Sequence, residues 1–219
     1  MTVSLVSGSR CRSSHTESVP PQIRLAAASN ADEVARILAA GFAGDPVMSW
    51  MFGSARQAEK LDAFFTFLAN EALVPLGATF VLDGSCASWT PPNPPEWPDD
   101  RSARYATALG AVCDAGDFER MQILGDIIDN AHPAQPYWYL STLATVPEQR
   151  GHGLGGQLLQ HMLMMLDADQ APAYLESTNP RNVSLYERHG FRATGLLDLP
   201  DGPSLIPMWR EPVDRVSPG

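Results

Sequence analysis

Arg150-Gly151-His152-Gly153-Leu154-Gly155-Gly156 places four glycines in six positions just ahead of the apolar run Leu158-Leu159-Gln160-His161-Met162-Leu163-Met164-Met165-Leu166. Glycine loses more conformational freedom on folding than any other residue, so such a cluster marks a backbone that must stay bare. Three uses compete for it: a nucleotide phosphate site, a tight structural turn and a flexible linker. Read literally, Gly151-x-Gly153-x-x-Gly156 is a dinucleotide fingerprint, and Glu176 stands twenty residues further on, where that motif keeps its ribose carboxylate. Pro147-Glu148-Gln149-Arg150 argues against this, because there the strand runs straight into the first glycine. The 43 residues after Glu176 are also few for the remaining strands of that fold. A Walker loop fails more simply, since no Gly-Lys-Ser/Thr follows. What survives is anion binding at a helix N-terminus, where free N–H groups and the helix dipole both favour negative charge.

Working outward, the stretch 136–146, PYWYLSTLATV, is aromatic and β-branched and is the strongest strand in the chain. Beyond the glycines, Leu158, Leu159, Met162, Leu163 and Leu166 recur at helical spacing. Residues 173–177 read as a strand, 182–189 as a short helix stopped by Gly190, and 191–197 and 204–210 as two strands about Asp201-Gly202. Upstream, 23–28 reads as a short strand, and Asn30 or Asp32 caps a helix carrying Val34, Ile37, Leu38 and Phe42. Gly44-Asp45-Pro46 breaks it, a short helix covers 47–52, and a longer one covers about 54–73. Residues 78–82 and 85–90 flank Asp83-Gly84, a hairpin signal. Five prolines within 91–98 demand an extended loop, and two helices follow between about 99 and 130, interrupted near Asp114-Ala115-Gly116. Strands alternating with helices around one sheet predict a single α/β (α+β) domain over 23–212. The Ser-rich stretch 1–22 lacks the apolar core of a signal peptide and reads as a disordered tail.

The net charge of −10 disfavours nucleic acid, whose phosphates call for a basic surface; it suits a cationic partner such as an amine, or simply keeps the protein in solution. No apolar run reaches the roughly 18 residues of a membrane span, so no membrane partner is expected and the cytoplasm is the expected location. Cys11, Cys86 and Cys113 are odd in number and widely spaced, which argues against a disulfide framework or a cysteine metal site. The five histidines are scattered as well, so no metal is expected.

Two stretches carry a resemblance. Val146 to Gly155 is similar to the acyl-CoA signature of the GCN5-related N-acetyltransferase (GNAT) superfamily, arginine or glutamine followed by spaced glycines after a strand; Arg150, Gly153 and Gly155 are the matching positions. Asn179-Pro180-Arg181-Asn182-Val183-Ser184-Leu185-Tyr186-Glu187-Arg188-His189-Gly190-Phe191 resembles the second signature of the same family. Both occur in order, about 30 residues apart with a strand between, and the element order fits from 23 to 210. Ala43-Gly44-Asp45-Pro46, the pieces around His132 and Trp138, and the run from Leu175 to Phe191 are similar to puromycin N-acetyltransferase and its relatives.

The resemblance implies a mixed, mostly antiparallel sheet flanked by helices, with strands 137–146 and 173–177 splayed to admit acetyl-CoA. The pantetheine arm would bond the backbone of Leu143, Ala144 and Thr145, and the pyrophosphate would rest on Arg150, Gly151, His152, Gly153, Leu154, Gly155 and Gly156. A backbone N–H beside the thioester would serve as oxyanion donor. Tyr186 falls at the general-acid position and would protonate the CoA sulfur; the alternative is a core tyrosine. Asn182 is a ligand of the CoA arm or a helix cap. Glu176 takes the amine proton or is a structural carboxylate. His189 reads as a helix C-terminal cation, and His152 as a residue facing solvent or phosphate. Trp50, Phe52, Trp89, Trp97 and Tyr105 are candidates for an aromatic acceptor slot. The function implied is acetyl-CoA-dependent N-acetylation of a small-molecule primary amine, an antibiotic or other xenobiotic, by a monomer or homodimer. A protein or peptide amine, or a catalytically silent CoA-binding module, are the alternatives.

Overall fold

The strand pair at the centre of the chain shows how local chemistry starts the sheet. Thr79–Leu82 (β2) and Ser85–Thr90 (β3) pair antiparallel across Asp83 and Gly84, which both adopt positive φ, 42° and 77°. Two left-handed residues match the twist of the flanking strands, and Asp-Gly supplies them. The computed structural model describes residues 22–213 except Trp97 and Asp99, so the tail expected over 1–22 lies almost wholly outside the described residues.

Before this hairpin come β1 (Arg24–Leu25), α1 (Ala31–Gly41), α2 (Pro46–Phe52) and α3 (Gln57–Leu68), the last running into a π-helical turn over Ala69–Leu73. Asp45 caps α2, its Oδ1 accepting from the amides of Val47 (2.9 Å) and Met48 (3.1 Å) ahead of Pro46 at the first helical position. After it come α4 (Arg101–Leu109), α5 (Ala115–Ala131), β4 (Trp138–Thr145), α6 (Leu154–Ala168), β5 (Ala173–Ser177), α7 (Val183–Arg188), β6 (Arg192–Ala193), β7 (Leu197–Asp198) and β8 (Ser204–Arg210). Asp114 and Asp117 form a reciprocal cap on α5. Asp117 is fully buried, paired with the buried Lys60 at 2.7 Å and with Arg120 at 2.9 Å, which ties α5 to α3.

The strand order is β1-β2-β3-β4-β5-β8-β6, with β7 pairing β8 further along, and every pair is antiparallel except β4–β5. One face is covered by α1, α2, α3 and α5 over Val81, Cys86, Ala144 and Leu205. The other is covered by α6 and α7 over Leu82, Ala87, Leu175 and Met208. This is the mixed α/β domain expected from the sequence. No helix among the described residues is long and apolar enough to cross a membrane.

Two irregularities shape the functional region. The parallel pair β4–β5 is joined only at Trp138↔Ala173 and Tyr139↔Tyr174; beyond it β4 stays with β3, β5 stays with β8, and the two diverge. Between Leu140 and Thr142 the β3–β4 register skips Ser141, a bulge that turns the strand by one residue. The strand expected over 191–197 is broken into β6 and β7. Pro207 of β8 explains the break: its carbonyl accepts from the Thr194 amide (2.9 Å), and the N–H that would face the same neighbour is missing in proline.

Candidate active site

The glycine run opens α6 in the manner of an anion site. Gly151 and Gly153 take φ of 84° and 76°, and a Cβ built on either would meet nothing within 4 Å. The glycines there serve the left-handed turn and leave the approach from solvent clear. Gly153 is the N-cap and no side chain caps the helix, so the first amides, those of Leu154, Gly155 and Gly156, have no intrahelical acceptor. They face a cleft of about 580 Å³ that runs from this turn, past Leu143, Ala144 and Thr145, to Tyr186.

Among the expected cofactor contacts, Leu143 to Thr145, Arg150, Gly151, Gly153 to Gly156 and Asn182 all line this cleft. His152 does not. Its Nδ1 lies 3.1 Å from the Gln149 carbonyl, which turns the ring back along the loop and leaves it exposed. Arg150 donates to the carbonyls of Gly41 (2.7 Å) and Thr145 (3.3 Å), binding the C-terminus of α1 to the glycine turn. Two further arginines, Arg181 and Arg188, line the cleft and were not singled out in the sequence. Three guanidinium groups around one cavity, in a chain of net charge −10, favour an anionic ligand there.

A second cavity of about 180 Å³ abuts the first. Phe42, Leu143, Asn182 and Tyr186 line both. Its walls are largely apolar, with Val47 and Met48 of α2, Phe64, Phe65 and Leu68 of α3, and Leu124 and Ile128 of α5. Polar groups come from the splayed strands: Tyr139, Ser141, Thr142 and Glu176. The bulge at Ser141 is what lets Tyr139 and Thr142, three positions apart, reach the same cavity. The hydroxyl of Thr142 is buried there with no hydrogen-bond partner.

Among the described residues lining this slot, Glu176 is the one carboxylate, and no Lys, Arg or His joins it. Its Oε2 accepts from the Tyr139 hydroxyl at 2.7 Å, and its Oε1 lies 3.5 Å from His132 Nε2. Burial pushes its carboxyl up to about 7, against the opposing pull of the hydrogen bond from Tyr139 and of the nearby Tyr174 hydroxyl, which itself donates to the Ala131 carbonyl. Tyr186 sits where the cavities meet, its ring edge-on to Phe191 at 6.1 Å, and burial raises its phenol well above the usual value. It therefore holds its proton at neutral pH. Asn182 precedes α7 yet makes no cap hydrogen bond; Asn179 accepts from the Arg181 amide instead. Asp45 is buried beside this junction, its Oδ2 accepting from the Thr178 hydroxyl at 2.7 Å, so the α1–α2 turn is latched to the end of β5.

The aromatic candidates for the acceptor side lie elsewhere. Phe52 and Trp89 are core, Tyr105 packs against Phe64, Phe67 and Phe118, and Trp50 donates to the Pro200 carbonyl. Trp97 is outside the described residues. The slot draws its aromatic rings from Phe42, Phe64, Phe65, Tyr139 and Tyr186. The Nδ1–H of His189 donates to the Leu185 carbonyl in the last turn of α7 (2.9 Å). Among the described residues no three His, Cys, Asp or Glu side chains gather as a metal site.

A helix amide cradle beside a splayed parallel pair is the arrangement that the resemblance of the two sequence stretches implies. The model of the acetyltransferase (GNAT) domain matches residues 112–193, which contain β4, the glycine turn, α6, β5 and α7. The chain is similar to histone acetyltransferase HPA2 and related acetyltransferase from Corynebacterium glutamicum, at 25% identity and a TM-score of 0.67 over 91% of this chain and 100% of that one. It is similar in fold to the polyamine N-acetyltransferase of Drosophila melanogaster, which forms N-acetylagmatine, at 16% identity and a TM-score of 0.59 over 87% and 99% of the two chains. An agmatine N-acetyltransferase matches at 15% identity and a TM-score of 0.60 over 88% and 100%. Residues 112–193 thus match the acetyltransferase (GNAT) domain, and the chain as a whole has the fold of acetyltransferases.

Proposed function

We propose that the protein transfers the acetyl group of acetyl-CoA to the primary amine of a small, largely apolar molecule by direct attack. The observation that carries this reading is the meeting of two cavities of opposite chemistry at Tyr186, one rimmed by arginines and bare amides, the other apolar with a single carboxylate. The residues fit acetyl-CoA: an uncapped helix N-terminus with clear space above Gly151 and Gly153 suits a pyrophosphate, and the stretch of β4 over Leu143 to Thr145, left unpaired on its β5 side, suits a pantetheine arm. When bound, acetyl-CoA supplies an activated acyl group on a thioester.

The chain's own residues then divide the work. Arg150, Arg181 and Arg188 and the amides of 154–156 hold the anionic end, and Asn182 contacts the arm. Glu176, with its carboxyl near 7, takes a proton from the bound ammonium so that a neutral nitrogen can attack. Tyr186, protonated at neutral pH, donates to the departing sulfur. The slot closes around the acceptor with hydrocarbon and offers one anionic partner, so it favours a monoamine with an apolar body over a polyamine, whose second cation would be desolvated unpaired. An antibiotic or other xenobiotic amine belongs to that chemical class.

Thiol release from acetyl-CoA against a panel of amines tests this: phenethylamine and hexylamine, puromycin, agmatine, spermidine and a lysine peptide. Turnover should be greatest with apolar monoamines. Preference for spermidine or the peptide would overturn the acceptor class. Acetyl-CoA binding by calorimetry with no thiol release from any amine would identify a silent binding module.

A further inference from the structure

Glu176 works from a nearly closed position. Its side chain is 2% exposed, and one oxygen is already occupied by the Tyr139 hydroxyl. A carboxylate so enclosed can accept a proton from an amine, but must pass it on before the next turnover. The free oxygen, Oε1, lies 3.5 Å from His132 Nε2; both atoms are buried and neither has a hydrogen-bond partner. Yet the His132 side chain as a whole is 28% exposed, so its ring joins a buried nitrogen to the surface. We propose that Glu176 and His132 form a proton relay: the acceptor's proton passes to Glu176 Oε1, then to His132 Nε2, the imidazolium releases its Nδ1 proton to water, and tautomer exchange through solvent bares Nε2 for the next turnover. The relay rests on the acetyl-transfer reading, in which Glu176 receives the amine proton.

The surroundings suit a shuttle better than a fixed ion pair. His132 ends α5 in extended conformation ahead of Pro133, and its ring meets Tyr137, Tyr139 and Tyr174 edge-on at 5.9, 4.8 and 5.6 Å. The ring is thus held against the pair, and a shift of about half an ångström brings Nε2 within ordinary hydrogen-bond distance. Burial raises Glu176 to about 7 and lowers His132 below its usual value, so the carboxyl holds the proton more tightly than the ring; the step to His132 runs uphill and is drawn forward as the ring gives its proton to water. The titratable groups that act on the pair are Tyr137, Tyr139, Tyr174 and Asp129; Asp129 favours protonation of both, and none of the four is a cation that would lock Glu176 as an anion. The balance is one proton per turnover. The ammonium loses two as the C–N bond forms, the sulfur gains one as the C–S bond breaks, and the remaining one leaves through His132.

Two measurements test the relay. In the ligand-free protein, the His132 imidazole resonances followed against pH should titrate in two steps, because the first proton is shared with Glu176, and Glu176→Gln should collapse them to one. A single wild-type step that Glu176→Gln leaves unchanged would overturn the coupling. In kinetics at pH 7, His132→Ala should lower kcat/KM for the amine by about tenfold or more with acetyl-CoA affinity unchanged, and added imidazole should restore much of the loss. His132→Gln, which keeps a polar side chain between the tyrosines, should show the same loss without the cavity. Values within about twofold of wild type in both variants between pH 6 and 9, or a loss that imidazole does not restore, would sink the relay. If Glu176→Gln is inactive while both His132 variants turn over normally, the relay alone fails; if Glu176→Gln itself turns over normally, the base reading fails with it.

Discussion

The two cavities share four residues and are built on opposite principles. On the proposed reading the larger recognises with backbone: bare amides at the start of α6, a stretch of β4 left unpaired on its β5 side, and arginines at the rim. The smaller recognises with side chains gathered from α2, α3, α5, β4, β5, α7 and β8, and contains one ionisable carboxylate. The contrast teaches where variation is tolerated. Backbone recognition needs glycine at fixed positions and leaves a motif, whereas a hydrocarbon wall can be assembled from many residue sets of similar volume.

Four substitutions break or sharpen that contrast. Glu176→Gln should have the largest effect, lowering kcat/KM for the amine by about 1,000-fold while acetyl-CoA binding by calorimetry is unchanged. In the wild type, turnover should rise with pH through about 7, as Glu176 loses its proton and becomes a base. The same shift has a stability consequence. A carboxyl raised in the folded state from 4.5 to about 7 binds its proton more tightly than in the unfolded chain, so its contribution falls as pH rises from about 4.5 to 7. At pH 8 the buried charge costs about 3 kcal/mol, and Glu176→Gln should raise Tm there although it abolishes turnover. A lower Tm at pH 8 would contradict the burial of a charged form.

Tyr186→Phe comes next, with kcat lowered on the order of 100-fold and acetyl-CoA affinity little changed; unaltered kcat would remove the phenol as acid. Gly153→Val probes the other cavity. Its φ of 76° strains any L residue, by about 1–2 kcal/mol, and its β-branch projects into the open cradle. Acetyl-CoA binding should weaken about tenfold more than in Gly153→Ala, which shares the strain but adds only a methyl group. Equal affinities in calorimetry would mean that the glycine serves the turn alone. The smallest effect belongs to Thr142→Val, which replaces an unpartnered buried hydroxyl with a methyl of similar size. Stability should hold or rise, and only KM for the amine should move, by about threefold, if the hydroxyl touches the acceptor.

The sequence makes much of the larger cavity legible because its parts are local. The glycine turn, the helix it starts, and the Asn179–Phe191 run all lie within one stretch, and each contributes residues to the cleft. Arg181 and Arg188 lie inside that run, yet nothing in their spacing distinguishes a cleft arginine from a solvated one. Of the slot, only Leu143, Glu176, Asn182 and Tyr186 stand out in sequence. The aromatic residues favoured as its lining turn out to be core, because a lone tryptophan or phenylalanine carries no mark of whether it faces a cavity or a neighbour. Strict alternation along β4 would set Tyr139 and Thr142 on opposite faces, and only the skipped pairing at Ser141 brings both to the slot. The broken strand after Phe191 was equally hidden, since it depends on which side of β8 Pro207 faces.

By itself, then, the sequence determined the class of fold, the helix N-terminus kept bare for an anion, and the carboxylate and phenol that follow it. These rest on short-range chemistry: turn conformation, helical and strand periodicity, and glycine's missing Cβ. Only the tertiary structure decided that Glu176 is enclosed, that its free oxygen looks at His132 from 44 residues earlier, and that hydrocarbon from seven elements walls the smaller cavity. Burial is a property of what packs around a group rather than of the group itself. It is burial that raises this carboxyl to about 7, the property on which its proposed role as proton acceptor rests.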